Sequence, residues 1–137
     1  MPILETDETI RSLLRTTCTI AVVGLSDHPY RDSYHIAEYL LDQGYRIFPV
    51  NPNIASVFGQ PSFPTLADIK EPIDIVNVFR RPEHLPGIVE EAIRTGARAV
   101  WMQLGTGNIA AAERASAAGL ETVVERCILV EHRRLIQ

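Results

Sequence analysis

The sequence predicts an α/β fold: a doubly wound parallel sheet of about five strands with helices on both faces. Two observations carry that prediction. Short apolar runs alternate with helix-patterned segments along the chain, and strands joined by helices in short units return right-handedly over a sheet face. The first such run, TIAVVGL, is continuously apolar, the mark of a strand buried on both faces rather than on one. With 137 residues, 46% of them hydrophobic, the chain has the size of one domain and enough apolar surface to fill its core.

Residues 6–16 read as a first helix, with Ile10, Leu13 and Leu14 at helical spacing after the polar ETDE start. It is expected to pack on the sheet as an N-terminal lid. TIAVVGL then gives the first strand. Asp32 or Ser33 can cap the next helix, whose pairs Ile36 with Leu40 and Ala37 with Leu41 make one apolar stripe, and Gly44 ends it. YRIFPV supplies the second strand, DIVNVF the third, ARAVWMQL the fourth and LETVV a short fifth. Thr65, in SFPTLADIKEP, offers the cap of a short crossover helix. PEHLPGIVEEAIRTG is helical through Ile88, Val89, Ala92 and Ile93, and NIAAAERASAAG is an Ala-rich helix opened by Asn108 and closed by Gly119. No repeat, low-complexity tract or linker divides the chain, so residues 1–137 are read as a single domain.

No run approaches the ~18 uninterrupted apolar residues of a membrane span, and MPILETDETIRSLL has neither a basic leader nor a small-residue cleavage site. A cytoplasmic protein without a membrane partner is expected. A formal net charge of −4 argues against a nucleic-acid partner, because neutralising a phosphate backbone takes a clustered basic surface. Cys18 and Cys127 lie far apart in apolar settings and form no C-x-x-C pair, so reduced thiols are expected. Lys70 is the only lysine. Genome bias accounts for so much arginine as well as arginine's bidentate fit to phosphate does.

In doubly wound sheets, ligands bind at the carboxyl ends of the strands, near the point where strand order reverses. After the first strand comes GLSDHPYRDS, where Gly24 permits a tight turn and the loop N–H groups, with the helix N-terminus, can face an anion. The glycine fingerprint of dinucleotide sites is incomplete here. The hydroxyls of Ser26 and Ser33 and the guanidinium of Arg31 can replace it as phosphate contacts; turn chemistry and helix capping are the plainer account of the same residues. After the second strand, VNPN puts Asn51 where a nicotinamide site places an acid for the ribose hydroxyls. A neutral amide tolerates a phosphate that a carboxylate would repel, which leans away from NAD and toward a phosphorylated ribose. Asn51 and Pro52 are also strong turn formers.

After the third strand, FRRP sets Arg80 and Arg81 at the opening of the crevice, since Pro82 suits the first turn of the following helix. The pair suits a polyanionic ligand; solvated surface charge is the alternative. Phe79 either walls the pocket or belongs to the core. After the fourth strand, WMQLGTGN offers the amide of Gln103 and the close backbone approach of Gly105 and Gly107, with Trp101 reading as core. His28, His35, His84 and His132 have no metal-ligand spacing, and no nucleophile, base and orienting acid can be assembled. No catalytic or metal-binding residue is assigned. His28 lies within the phosphate loop and stays open as a contact, while Cys127 reads as a buried inert thiol, with exchange onto a thiol ligand as the other option.

Taken in order, VVGLS, PVNPN, DIVNVFRRP and WMQLG resemble the small stand-alone coenzyme A-binding proteins, which are similar to the nucleotide-binding domain of the succinyl-CoA synthetase alpha subunit. The resemblance runs from about Cys18 to about Val130. It implies a Rossmann-like domain holding coenzyme A, or an acyl-CoA, across the strand ends. Gly24, Leu25 and Ser26 would form the first phosphate-contacting turn with Arg31 nearby, and Asn51 and Pro52 would border the nucleotide. Phe79, Arg80 and Arg81 would flank the cofactor on the other side, and Gln103 with Gly105 would approach the pantetheine arm. The synthetase subunit has a second domain with a phosphorylated histidine, and this chain stops before one, so ligase activity is not expected. LGTGN also carries an extra small residue relative to the family's LG-hydrophobic run.

The expected function is a coenzyme A-binding module, a carrier or sensor with no chemistry of its own, acting as a homo-oligomer or with a protein partner. Two other classes stay open: an NAD(P)- or acyl-CoA-dependent enzyme subunit that borrows a partner domain, and an interaction module with an empty pocket. The missing acid after the second strand speaks against NAD, and the arginine pair against an empty pocket.

Overall fold

The computed structural model describes residues 3–136. The chain runs α1 (Asp7–Thr16), β1 (Thr19–Val23), α2 (Asp32–Asp42), β2 (Arg46–Val50), a hairpin of β3 (Ser56–Val57) and β4 (Gln60–Pro61), β5 (Ile75–Val78), α3 (Leu85–Thr95), β6 (Ala99–Met102), α4 (Ile109–Ala117), β7 (Glu121–Val124) and α5 (Ile128–Leu135). The five predicted strands are present as one parallel sheet in the order β2-β1-β5-β6-β7. The chain steps outward from β1 to β2, then returns past β1 to build β5, β6 and β7 on the other side. Strand order therefore reverses between β1 and β5, which opens a crevice at their carboxyl ends.

Side-chain alternation divides the core into two layers, which is why the strands read as continuous apolar runs. Ala21, Val23, Phe48, Val50, Val76, Val78, Val100 and Met102 face one layer with α3 and α4. Ile20, Val22, Ile47, Ile75, Ala99, Trp101 and Val123 face the other, with α1, α2 and α5. Within that second layer α1 buries Ile10, Leu13 and Leu14 in the same cluster as the strand residues and packs beside α5. Arg134 of α5 clamps Asp7 of α1 with two bonds of 2.8 and 2.9 Å, and Leu4 N donates to Thr122 O of β7 at 2.7 Å.

Three local expectations change. Neither Asp32 nor Ser33 caps α2; the cap position is Arg31, with no side-chain hydrogen bond, because the Ser33 hydroxyl is turned back to accept from Ser26 N at 3.0 Å. The crossover helix is one 3-10 turn, Leu66–Asp68, though Thr65 does cap it in a reciprocal box with Asp68. The run CILVEHRRL, unassigned from sequence, forms α5. Among the described residues no helix is long and apolar enough to cross a membrane.

The α5 contact with α2 holds a titratable group. His132 is 3% exposed, its Nδ1 lies 2.8 Å from the Tyr39 hydroxyl, and the Tyr39 and Tyr45 rings meet it edge-on. Burial holds the imidazole below its ordinary pKa and pushes the Tyr45 phenol up to about 12. The folded state thus refuses a proton that the unfolded chain accepts below about pH 6.5, so stability is full above that pH and falls as pH drops toward the folded pKa. Melting temperature followed from pH 7.5 to 5 should decline in the native chain and decline less in His132→Gln. Equal slopes would mean that His132 is not the titrating group.

Candidate functional site

The crevice is built where β1 and β5 end. Gly24, directly after β1, donates its N–H to Val50 O at 2.8 Å, and Phe79 N donates to Val23 O at 2.8 Å. These bonds draw the ends of β2, β1 and β5 together. Gly24 has φ +89, and a Cβ there would lie 3.1 Å from Phe79 O and 3.1 Å from Arg80 Cδ. Only glycine takes that backbone angle and leaves room for the neighbouring strand.

The loop from Gly24 to Arg31 is folded by its own serines and anchored by Leu25, whose side chain is fully buried. Ser33 Oγ accepts from Ser26 N, and Ser26 Oγ accepts from His28 N, each at 3.0 Å. Both hydroxyls act as acceptors, which leaves each O–H free to donate to a ligand oxygen. With no side-chain cap on α2, the first N–H groups of that helix point toward the same space. Asn51 fastens the facing loop: Nδ2 donates to Leu25 O at 2.9 Å, and Oδ1 accepts from Asn53 N at 2.8 Å.

Two cavities adjoin at this edge and share Gly24, Asn51 and Asn53. The larger, about 730 Å³, takes in Ser26, Arg31, Ser33 and Phe79, together with His28, Tyr30 and the carboxylates of Asp27 and Asp32. His28 and Tyr30 stack with ring centroids 5.3 Å apart. The smaller, about 320 Å³, takes in Pro52, Arg80, Pro64, Leu66, Ile88 and Glu91. The structure therefore brings together Gly24, Ser26, Arg31, Ser33, Asn51, Pro52, Phe79 and Arg80.

Leu25, buried and accepting from Asn51 through its carbonyl, and Arg81, beside Arg80, line neither cavity. The fourth corner stays apart from this lining. Gln103 is 4% exposed, and its Oε1 accepts from Asn77 Nδ2 at 3.2 Å and Ile128 N at 2.8 Å, tying β5, β6 and α5 together. Gly105 N and Gly107 N both donate to the Glu125 carboxylate, the latter at 2.6 Å. An internal anion thus occupies the turn that the sequence offered to a ligand.

The smaller cavity's far wall was not visible in the sequence. The β3–β4 hairpin folds the chain back so that Phe63 bridges Val50 and its N–H reaches Pro49 O at 2.9 Å, which sets Pro64 to Leu66 beside the end of β2. The turn is made by Phe58 and Gly59, at φ 55 and 73. This is a left-handed pair of the kind usually signalled by Asn-Gly.

Charge partners sort the arginines. Arg46, Arg98, Arg114, Arg126 and Arg134 each grip a carboxylate. Among the described residues Arg11, Arg15, Arg31, Arg80, Arg81, Arg94 and Arg133 form no ion pair, and of these Arg31, Arg80 and Arg81 stand at the carboxyl edge. A glycine turn, hydroxyls with O–H groups to donate, a helix N-terminus without a side-chain cap and guanidinium groups outside any ion pair meet at this edge, with the carboxylates of Asp27 and Asp32 beside them.

Comparison with known proteins agrees with this geometry. A family model described as CoA binding domain matches residues 18–133. The chain belongs to that family. As a member of the CoA binding domain family it is 43% identical over 123 residues to the uncharacterized protein YneT of Bacillus subtilis, covering 90% of this chain and 91% of that one. The solved hypothetical protein from Pyrococcus horikoshii OT3 superposes with a TM-score of 0.95 at 41% identity, covering 100% of this chain and 97% of the other. An acetate–CoA ligase (ADP-forming) of Methanocaldococcus jannaschii is 25% identical over 80 residues, 58% of this chain but 11% of the ligase. The Rossmann-like fold and the resemblance to the CoA-binding domains of acyl-CoA synthetases stand on these matches.

Proposed function

We propose that this chain binds coenzyme A across the β1, β2 and β5 corners and performs no chemistry of its own, acting as a carrier or sensor of the cofactor in the cytoplasm. The observation that carries the reading is that the guanidinium groups of Arg31 and Arg80 line the two adjoining cavities at the carboxyl edge, with Arg81 beside them, and none of the three is held by a carboxylate. Guanidinium groups outside any ion pair at the rim of a cavity fit a polyanionic ligand. Two adjoining cavities suit an elongated one, and membership of the CoA binding domain family names the class. Asn51 supports coenzyme A over NAD, because its amide is committed to the loop and offers no carboxylate to a ribose diol.

A ligand that binds only the native state stabilises it by about 2.7 kcal/mol at 100 times its dissociation constant. Melting curves should therefore rise with coenzyme A, rise less with dephospho-coenzyme A, and move little with NAD or NADP. A shift with NAD and none with coenzyme A would overturn the reading.

A further inference from the structure

The smaller cavity has a composition that the larger lacks. Its apolar lining is Val23, Val50, Leu66 and Ile88, stiffened by Pro52 and Pro64, and a single carboxylate, Glu91, closes one side. Glu91 reaches from α3 to accept from Leu66 N at 3.0 Å through Oε1. Its other oxygen accepts from no described residue, and the side chain has no ion-pair partner. A carboxylate oxygen in a cavity wall with no protein donor is available to accept a hydrogen bond from a ligand. The larger cavity instead offers Ser26, Arg31 and Ser33 as donors to phosphate, alongside the carboxylates of Asp27 and Asp32. The two spaces therefore divide the ligand by lining, with phosphates on the side of the donor hydroxyls and a flat, uncharged, amino-bearing ring on the apolar, proline-stiffened side that Glu91 closes. About 320 Å³ accommodates a purine, and Arg80 in the same lining sits where the adjoining ribose would carry its phosphate.

We propose that Glu91 is a specificity-determining residue that accepts a hydrogen bond from the 6-amino group of the ligand's adenine. The inference rests on the coenzyme A reading above and adds the residue that selects the base. Glu91→Gln tests it with little structural cost, because the amide oxygen still accepts from Leu66 N while the ring-facing position changes from acceptor to donor. The measurement is the dissociation constant of coenzyme A against that of its hypoxanthine analogue, in which oxygen replaces the 6-amino group. The native chain should prefer coenzyme A by roughly 10-fold or more, the scale of one charge-assisted hydrogen bond. In Glu91→Gln that preference should vanish or reverse, since the new N–H faces an oxygen acceptor in hypoxanthine.

Equal binding of the two ligands by the native chain overturns the assignment, as does a ratio unchanged in Glu91→Gln. If the variant does not fold, the native ratio decides alone. If the native chain binds neither ligand, the coenzyme A reading fails first and the assignment falls with it; binding without base preference sinks only the role of Glu91.

Discussion

Gly24→Ala should lower stability by about 2 kcal/mol and abolish most ligand binding, whereas Gly44→Ala should cost about half as much and leave binding alone. Both glycines sit at positive φ, +89 and +97, so both variants bear the left-handed penalty of an L-residue. They differ in what surrounds the added methyl. Nothing lies within 4 Å of it at Gly44, while at Gly24 it meets Phe79 O and Arg80 Cδ, each at 3.1 Å. A carbonyl held in a strand register cannot retreat as a side chain can, so the β5 end must move, and with it Phe79 and Arg80. At this chain length each 1 kcal/mol shifts Tm by roughly 4 °C, which separates the two variants in a simple melt. Equal losses of stability, or binding that survives in Gly24→Ala, would show that the close approach of β1 and β5 does not shape the site.

The parts of the fold legible in the sequence were those where a local signal and the tertiary environment agree. TIAVVGL is apolar from Ile20 to Val23 because helices cover both faces of β1, and Asn108 caps α4 as its type suggests, accepting from Ala111 N at 3.0 Å. Helix α5 was illegible for a specific reason. Its buried stripe is Ile128, Glu131, His132 and Leu135, and two polar members hide the helical period. Glu131 is inside only because Arg126 and Arg134 hold it at 3.2 and 2.7 Å, and His132 because Tyr39 meets it. Partners so distant in sequence leave no pattern in the segment itself. The β3–β4 hairpin was hidden by Phe58, a bulky residue at positive φ where the usual signal is Asn.

The site divides along the same line. Strand ends announce themselves by turn residues, so the positions of Gly24, Asn51 and Phe79–Arg80 at the crevice are legible in the sequence. Side-chain commitments could not be foreseen. The Asn51 amide goes to Leu25 O and the Gln103 amide to Asn77 and Ile128. Glu125 takes the Gly105 and Gly107 N–H groups from across the β6–α4 turn. In each case a residue type suited to a ligand serves the backbone instead, because a buried or strained loop must satisfy its own polar groups first. Glu91 is the converse: an unremarkable surface-type residue on α3 that only the returning hairpin turns into a wall of the cavity.

Replacing Arg80 and Arg81 together by alanine should weaken coenzyme A by roughly 100-fold and dephospho-coenzyme A by less than about 10-fold, the difference being the phosphate on the ribose. The stability of the free protein should stay within about 0.5 kcal/mol of native, because neither guanidinium has a carboxylate to abandon. Arg114→Ala differs here, since it strands Glu90, whose carboxyl the Arg114 guanidinium holds below its usual range. Arg31→Ala supplies the internal contrast. It stands with Ser26 and Ser33 at the α2 N-terminus, where both ligands present the same diphosphate, so both should weaken alike. Between the paired residues Arg80 should carry the larger share, because it lines the cavity and Arg81 does not. Added salt should shrink the gap between the two ligands in the native chain, as exposed charges are screened within about 10 Å at 0.1 M. Equal losses for the two ligands in the double variant would remove Arg80 and Arg81 from recognition of the ribose phosphate. Any surviving affinity would then have to come from the serine and Arg31 side of the crevice alone.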